Sequence, residues 1–285
     1  MDWIAVQQFM SVGGQRAHMS AGTTVAFVAR SAVRTEVLRA VAAEPRSGDA
    51  LVAALDSSKS GVYKSINELA ERELICLSDG DGSAWEVTGA GRLVADELDC
   101  HRWVETLLGH REYWLTHDVS VLPERFRRRL PELRNADLLR NPENDPRYLE
   151  RYWVERMPAY EKLWVGSRVF HEAYGGAMDD QAQPGEGTRL ITHAPLVDER
   201  PAAVAESIEA RPDEVDQRVC EIPCSFMLTE ELFTLSLPFP DGQYDQDSVL
   251  IGEDEAALRF GEEFFALYWE RGTPIRSYLT EPDDI

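Results

Sequence analysis

The chain of 285 residues has few cysteines and no long apolar run. Its four cysteines are too few and too scattered for a disulfide scaffold, so a reducing compartment is expected. No stretch approaches the roughly 18 apolar residues that cross a bilayer, and the first residues lack the pattern of a secretion signal. We therefore predict a cytoplasmic protein with no membrane partner.

Lysine is scarce, and acidic residues outnumber basic residues. The chain has 51 Asp and Glu against 29 Lys and Arg, a net charge of −22, and its only lysines are Lys59, Lys64 and Lys162. A nucleic-acid partner usually needs a basic surface, so this balance argues against DNA. Two explanations stay open: a module that binds a basic protein, or a halophilic protein. At about 1 M salt the Debye length is about 3 Å, which screens the repulsion between acidic protein and DNA. Arginine as the main cation favours the halophilic explanation.

Patterns that indicate catalysis are missing as well. The sequence has no nucleophile next to a general base and no phosphate-binding loop, so no catalytic residue and no enzymatic activity are predicted. Cys100 and His101, even with His110 and His117, do not have the spacing of a tight metal site. We predict neither a metal nor a cofactor.

Cys220 and Cys224 flank a proline and raise the question of a redox switch. On one strand they would lie about 13 Å apart, at about 3.3 Å per residue, so a bridge requires a turn at Pro223. The sequence favours the simpler interpretation of two small buried side chains.

Residues 31–98 have the pattern of a winged helix-turn-helix. Periodic apolar residues predict a helix over 31–44, a short helix over 46–56 and a third helix over 61–75 that leads into a strand. Two strand-like segments, 75–78 and 84–88, flank an Asp-Gly-Asp-Gly-Ser loop, which predicts a hairpin. Because this loop is short and acidic, it is a poor partner for phosphates.

The third helix is the predicted recognition helix. Val62, Ile66 and Leu69 fall at positions i, i+4 and i+7 and predict its core face. The opposite face carries donors and an aromatic ring of the kind that meet phosphates and base edges in the major groove. Ser58 is the predicted helix cap and an additional donor. The predicted DNA-binding residues are Ser58, Lys59, Ser60, Tyr63, Lys64 and Asn67.

The chain divides into four predicted regions. Residues 1–22 lack periodicity and are expected to be a disordered extension, with Met19 as an alternative start. Residues 23–98 form the DNA-binding domain, and residues 99–144 form a helical linker and dimerisation region. The alternative for the long helix that begins near residue 88 is that it packs on its own domain. Four arginines (125, 127, 128 and 129) fit a solvated helix face, an ion-pair network or phosphate contacts.

Residues 145–285 alternate between strand and helix patterns and predict an α/β domain with a mixed sheet, whose last strands are antiparallel. This domain would sense an effector or dimerise. In open α/β sheets, ligands gather beyond the carboxyl ends of strands. The predicted effector site therefore follows two strands, although capping roles explain the same residues: Arg168, His171, Glu172, Tyr174, Thr192 and His193.

Three segments resemble one family of archaeal regulators. They are LPERFRRRLPELRNADLLRNPENDPRYLERY, LWVGSRVFHEAYGGAM, and the hairpin and final helix within 221–272. Over residues 24–277 the chain resembles proteins that join a winged helix to a methanogenesis regulatory protein middle domain, many of them from haloarchaea. The related sugar-sensing TrmB regulators have an effector domain similar to the phospholipase D fold without its catalysis. No histidine here is followed by a lysine two positions on, as that catalysis requires.

The sequence therefore predicts a fold of class α+β or α/β, with an N-terminal winged helix-turn-helix and a C-terminal α/β domain. The predicted function is sequence-specific transcriptional regulation by a homodimer on double-stranded DNA, with a small-molecule effector of unknown identity. The alternative is an acidic protein-interaction module that does not bind DNA.

Overall fold

The computed structural model describes residues 21–78, 82–169, 187–209 and 215–280. The chain forms two compact units, Met1–Arg102 and Trp103–Ile285, called unit N and unit C below. The predicted disordered extension lies outside the described residues except for positions 21 and 22, which begin a helix. Among the described residues, no helix is long and apolar enough to cross a membrane.

Unit N consists of helices around one apolar core, with a small sheet at one side. The sheet has the order β1-β3-β2, and all its pairs are antiparallel. The helices and the hairpin follow one another in the order that the sequence predicts. The elements are α1 (Ala21–Ala29), α2 (Ala32–Ala43), β1 (Arg46–Ser47), α3 (Gly48–Ala54), α4 (Lys59–Glu71), β2 (Ile75–Leu77), β3 (Ala84–Val87) and α5 (Gly89–Leu107). The last five residues of α5 follow the unit boundary and belong to unit C.

Three successive helices of unit N begin at a serine. The hydroxyls of Ser31, Ser47 and Ser58 accept hydrogen bonds from the backbone N–H three residues later, at 3.2–3.3 Å. Each cap satisfies one of the N–H groups that a helix start leaves without a partner inside the helix. Apolar side chains from α2, α3 and α4, among them Leu38 and Leu51, then fill the core between these helices.

Unit C is built on an eight-stranded mixed sheet in the order β11-β7-β6-β5-β8-β9-β10-β4. The β5–β6 and β6–β7 pairs are parallel and all other pairs are antiparallel. The predicted fold class and its mixed sheet are confirmed. The strands are β4 (Asp137–Arg140), β5 (Leu163–Ser167), β6 (Thr188–His193), β7 (Asp216–Cys220), β8 (Ser225–Leu228), β9 (Phe233–Ser236), β10 (Ser248–Gly252) and β11 (Thr273–Pro274).

The helices of unit C cover both faces of this sheet. Along β8, Phe226 and Leu228 point into one apolar cluster and Met227 into another. The first cluster contains the buried face of α11, and the second contains that of α8. The helices are α6 (Arg111–Thr116), α7 (Glu124–Arg127), α8 (Tyr148–Arg156), α9 (Ala194–Glu199), α10 (Pro201–Glu209), α11 (Glu255–Arg271) and α12 (Ile275–Thr280).

The region predicted as a linker, 99–144, is organised differently from that expectation. The unit boundary follows Arg102, and β4 pairs with β10 as an edge strand of the large sheet. Tyr113 and Phe126 are fully buried in the same cluster as α11, because short helices and 3₁₀ turns press their apolar residues onto that core. Residues 103–144 therefore belong to unit C.

Two further helix predictions need correction. The arginine cluster does not lie on one solvated helix, because α7 is only one turn long. Arg129 instead forms ion pairs with Glu132 and Glu263, as the ion-pair alternative predicts. The sequence LVDERPAAVAESIEARP, residues 196–212, has the pattern of one helix but contributes to two, since α9 ends at Glu199 and α10 begins at Pro201.

Candidate nucleic-acid interface and effector site

Helix α4 separates an apolar face from a polar face as its sequence predicts. Val62, Ile66 and Leu69 are buried in the core of unit N. The side chains predicted to bind DNA lie on the other side: Lys59, Ser60, Lys64 and Asn67 are exposed and Tyr63 is half-buried. The five therefore share one face of one helix that is open to a partner.

Ser58 and Tyr63 also have structural roles at this face. The Ser58 hydroxyl accepts from the Gly61 N–H at 3.2 Å, and it lies 3.4 Å from the Ser60 hydroxyl. The Tyr63 hydroxyl donates to the Asp49 carboxylate at 2.9 Å, and this hydrogen bond raises the pKa of Tyr63. Sequence reasoning missed Asp49, which lies on α3 and ties that helix to α4.

Tyr63 is held against α3 by a close approach of the backbone. A Cβ atom added to Gly48 would lie only 2.9 Å from the Tyr63 ring. Glycine at this position therefore lets the ring settle against α3, where its hydroxyl reaches Asp49.

Both lysines of α4 have acidic neighbours. Lys59 Nζ lies 3.6 Å from Asp49, and Lys64 Nζ lies 3.9 Å from Glu68, with the lysine side chains 71% and 76% exposed. Such exposed pairs contribute about 0–1 kcal/mol. A phosphate can therefore replace either carboxylate at little cost. Glu68 has a second, closer partner in Arg34, at 3.1 Å.

The hairpin after α4 has the predicted turn chemistry in its described part. Gly82 has φ +67°, a conformation that glycine adopts without steric cost. The rest of the loop, residues 79–81, lies outside the described residues.

Three of the predicted effector residues are described, and they lie at the carboxyl ends of the parallel strands β5 and β6. Arg168 donates from its guanidinium to the Pro223 carbonyl at 2.9 Å. His193 accepts from the Ile222 N–H at 3.2 Å, and burial, with help from Arg168, lowers the pKa of His193. Both side chains thus hold the connection between β7 and β8. His171, Glu172 and Tyr174 lie outside the described residues.

Thr192 is different, because it lines a cavity of about 620 Å³ on the α8 side of the sheet. Its hydroxyl accepts from the Gln217 side chain at 2.9 Å. Apolar side chains of α8 and the strands form much of the wall. Polar groups come from five strands and from the β9–β10 connection, and include Ser167, Ser225, Thr234, Ser236, Tyr244, Asp245 and Ser248.

The strand register sets hydroxyl side chains in a row across this wall. Ser167 is opposite Thr192 in the β5–β6 pair, and Ser225 is opposite Ser236 in the β8–β9 pair. Since Gly166 pairs with Phe226, Ser167 and Ser225 are also neighbours. The row therefore crosses β6, β5, β8 and β9 at one level. Sequence reasoning found only Thr192, because the row exists only once four strands are aligned.

The β9–β10 connection closes one end of the cavity with buried polar groups. Burial raises the pKa of Tyr244, whose hydroxyl bonds to those of Ser236 and Ser225. The Asp245 carboxylate lies 2.9 Å from Nε2 of His117 and also accepts from the Ser248 hydroxyl. These contacts fix the cavity wall.

The cysteines and the candidate metal ligands have structural surroundings. Cys224 is fully buried, which raises its pKa, and Cys220 is half-buried; both are unpaired. In the described ranges no three His, Cys, Asp or Glu side chains come together as a metal site.

Comparison with known proteins places the chain among transcriptional regulators. Residues 23–108 match the HVO_A0261 N-terminal domain, and residues 147–271 match the middle domain of the methanogenesis regulatory protein FilR1. The matches leave out only 1–22, 109–146 and 272–285. The chain therefore contains these two domains in this order, and the predicted resemblance to regulators that join them is confirmed.

More distant similarities to solved structures are weak. The archaeal chromatin protein TrmBL2 aligns with a TM-score of 0.35 and 12% identity over 90% of this chain and 100% of TrmBL2. The methyltransferase CalO1 of calicheamicin biosynthesis aligns with a TM-score of 0.22 and 16% identity over 78% of this chain and 67% of CalO1. Neither is close enough to assign a fold or a function. No curated protein sequence matches the chain.

Proposed function

We propose that this regulator is a homodimer that binds specific DNA sequences through α4. One observation carries the proposal: the polar face of α4 is exposed, while its apolar face is anchored in the core of unit N. A helix anchored in this way can present Lys59, Lys64 and Asn67 to the major groove as a rigid surface. The protein acts in the cytoplasm, with the DNA, and catalyses no reaction.

The net charge of −22 is compatible with this function in concentrated salt. At about 1 M salt the Debye length is about 3 Å, so only carboxylates in direct contact with the phosphate-binding side chains repel a bound phosphate appreciably. Those neighbours, Asp49 and Glu68, form only weak exposed pairs with the lysines.

Dimerisation through α5 would set the distance between two recognition helices. Leu93, on the part of α5 in unit N, has a side chain that is 72% exposed. In the proposed dimer this leucine would pack against the second copy, which removes its apolar surface from water. Two α4 helices about one helical turn of DNA apart, roughly 34 Å, then occupy successive major grooves.

A second candidate function is the binding of a basic protein. It is favoured by the acidic partners of Lys59 and Lys64, which reduce the positive charge of the exposed face. This alternative predicts that α4 recognises a cationic partner and has no sequence preference on DNA.

The test is capture of sheared genomic DNA by the purified protein in molar potassium chloride, read by sequencing, with a matched set of lysine and asparagine variants. Lys64→Ala should weaken binding to all sequences, because a phosphate contact carries no sequence information. Asn67→Ala should relax the preference at one base position, at a cost of about 1–3 kcal/mol.

Lys162→Ala is the control, since it removes the same charge from unit C. Enrichment of a two-fold symmetric motif that survives Lys162→Ala supports the proposal. Uniform recovery, or unchanged binding by the Lys64 and Asn67 variants, overturns it and favours the protein partner.

A further inference from the structure

The cavity in unit C has the size and lining of a binding site. Its volume of about 620 Å³ falls within the roughly 300–1,000 Å³ of pockets that hold drug-sized molecules. We propose that it binds an uncharged amphipathic molecule, with a carbonyl or hydroxyl oxygen at Thr234 and an apolar ring or chain against α8. The proposal goes beyond DNA binding and does not rest on it.

Thr234 supplies the polar contact. The residue is only 5% exposed and lines the cavity, opposite Met227 in the β8–β9 pair. Its hydroxyl has one donor and two acceptor positions. A ligand oxygen at this point would accept the hydrogen bond that the hydroxyl donates.

The hydroxyls of the row, which does not include Thr234, can adjust to such a ligand. Tyr244 bonds to Ser225 and Ser236, and each hydroxyl has one donor and two acceptor positions. The row can therefore bond to a second ligand oxygen and keep its internal contacts. The hydroxyls thus form a polar strip on the sheet wall of the cavity.

The opposite side of the cavity is apolar. Leu149, Trp153 and Met157 of α8 and its following turn face Val165 and Met227 of the sheet. Rings and methyl groups in this arrangement give an apolar molecule dispersion contacts but no hydrogen bonds. The ligand must therefore be amphipathic.

The charges around the cavity favour an uncharged ligand. Asp245 is the buried carboxylate among the described lining residues, and it is occupied by His117 and Ser248. The two arginines that line the cavity, Arg147 and Arg200, are exposed to solvent and are not buried in its interior. A charged ligand in the interior would find no free partner of opposite sign there, and an unpaired buried charge is costly.

The test is fluorescence titration of the full chain, without DNA, with Nile red as the probe. Nile red is uncharged, has one carbonyl and an apolar ring system, and brightens when it leaves water. We expect saturable binding of one Nile red per chain. The anionic probe anilinonaphthalene sulfonate should bind at least tenfold more weakly, because the lining arginines are exposed to solvent and a sulfonate in the interior would be buried away from them.

Two variants locate the site. Thr234→Val keeps the side-chain shape and should weaken Nile red binding about threefold to tenfold, the loss of one hydrogen bond. Thr188→Val is the matched control, since Thr188 is buried on β6 but does not line the cavity; it should leave the affinity unchanged. Val165→Phe fills the cavity and should abolish saturable binding while the circular dichroism stays native.

The proposal is overturned by three results: no saturable binding of Nile red, equal binding of the anionic probe, or equal effects of the two threonine variants. Failure of DNA binding in the capture experiment would leave each of these measurements intact, so the two proposals fail separately.

Discussion

Unit N and unit C gather their candidate functional residues in opposite ways. In unit N, residues 59–67 of one helix present them on one surface, and the rest of the unit anchors that helix. In unit C, the hydroxyl row comes from four strands and lies inside, where residues 58 positions apart become neighbours, as Ser167 and Ser225 do. A surface for a macromolecule can therefore be local in sequence, whereas an interior site depends on the whole sheet.

The largest expected effect tests how strongly the interior of unit C depends on its apolar core. Phe264 is fully buried and packs against five aromatic rings, among them Phe126 and Phe226. Phe264→Ala should lower the free energy of unfolding by about 3–5 kcal/mol in urea titrations. Leu115→Ala is the control: its side chain is 71% exposed, so a change of at most about 0.5 kcal/mol is expected. Equal effects would contradict the description of this core.

A smaller effect tests whether the surface of unit N depends on one close contact. Gly48→Ala places a methyl group against the Tyr63 ring and should push the ring away from Asp49. We expect a loss of about 1–3 kcal/mol in stability, with weaker DNA binding. Gly89→Ala is the matched control, because a Cβ at Gly89 has open space around it. DNA titrations of both variants measure whether the contact at Gly48 affects DNA affinity. If Gly48→Ala binds DNA as tightly as Gly89→Ala, Tyr63 does not organise this surface.

The third expected effect concerns pH and unit C. Burial lowers the pKa of His193 in the folded chain below its ordinary value of 6.5, so the unfolded chain binds more protons in this range. The contribution of neutral His193 to the free energy of unfolding is complete above pH 6.5, and it is lost as the pH falls towards the pKa of His193 in the folded chain. The slope is at most about 1.4 kcal/mol per pH unit.

His193→Asn keeps an acceptor for the Ile222 N–H but cannot titrate. Urea unfolding of wild type and variant at neutral and mildly acidic pH should therefore show a steeper loss for the wild type. Parallel curves would remove His193 from the pH response.

The smallest expected effect distinguishes the two candidate partners of unit N. Asp49→Asn releases Lys59 from its acidic neighbour and removes a charge beside α4. DNA affinity should rise about twofold to fivefold, which corresponds to about 0.4–1 kcal/mol for an exposed pair. A basic protein partner would instead bind more weakly to this variant. DNA titration at two salt concentrations measures the change, and weaker DNA binding would count against the proposed interface.

The same contrast explains which parts of the molecule the sequence could predict. The faces of α4 follow from a period of 3.6 residues, and the three serine caps follow from residue type, so both are readable within a few positions. The contact between Tyr63 and Asp49 joins residues on different helices, and no local pattern reveals it. Helix α1 was missed because its sequence, AGTTVAFVA, lacks alternation between apolar and polar faces.

Prediction was least successful where function or packing depends on strand register. Residues 103–144 have short, proline-punctuated helices that resemble a linker until β4 pairs with β10. Thr192 was found because it ends a strand, but Thr234 and Ser236 look like ordinary strand residues until β8, β9 and β10 are aligned. Arg168 and His193 were placed at the correct edge of the sheet, where they hold the backbone of the β7–β8 connection.

The serine caps of unit N have a consequence for how such a protein can diverge. Because a neutral hydroxyl makes the same hydrogen bond at every ionic strength, the starts of α2, α3 and α4 do not rely on charge. Over generations, the surface between them can gain acidic residues in brine or lose them in dilute water while the helices stay in place. The helix starts of unit N therefore place no demand on the surface charge, and the same fold can be kept in proteins that work at very different salt concentrations.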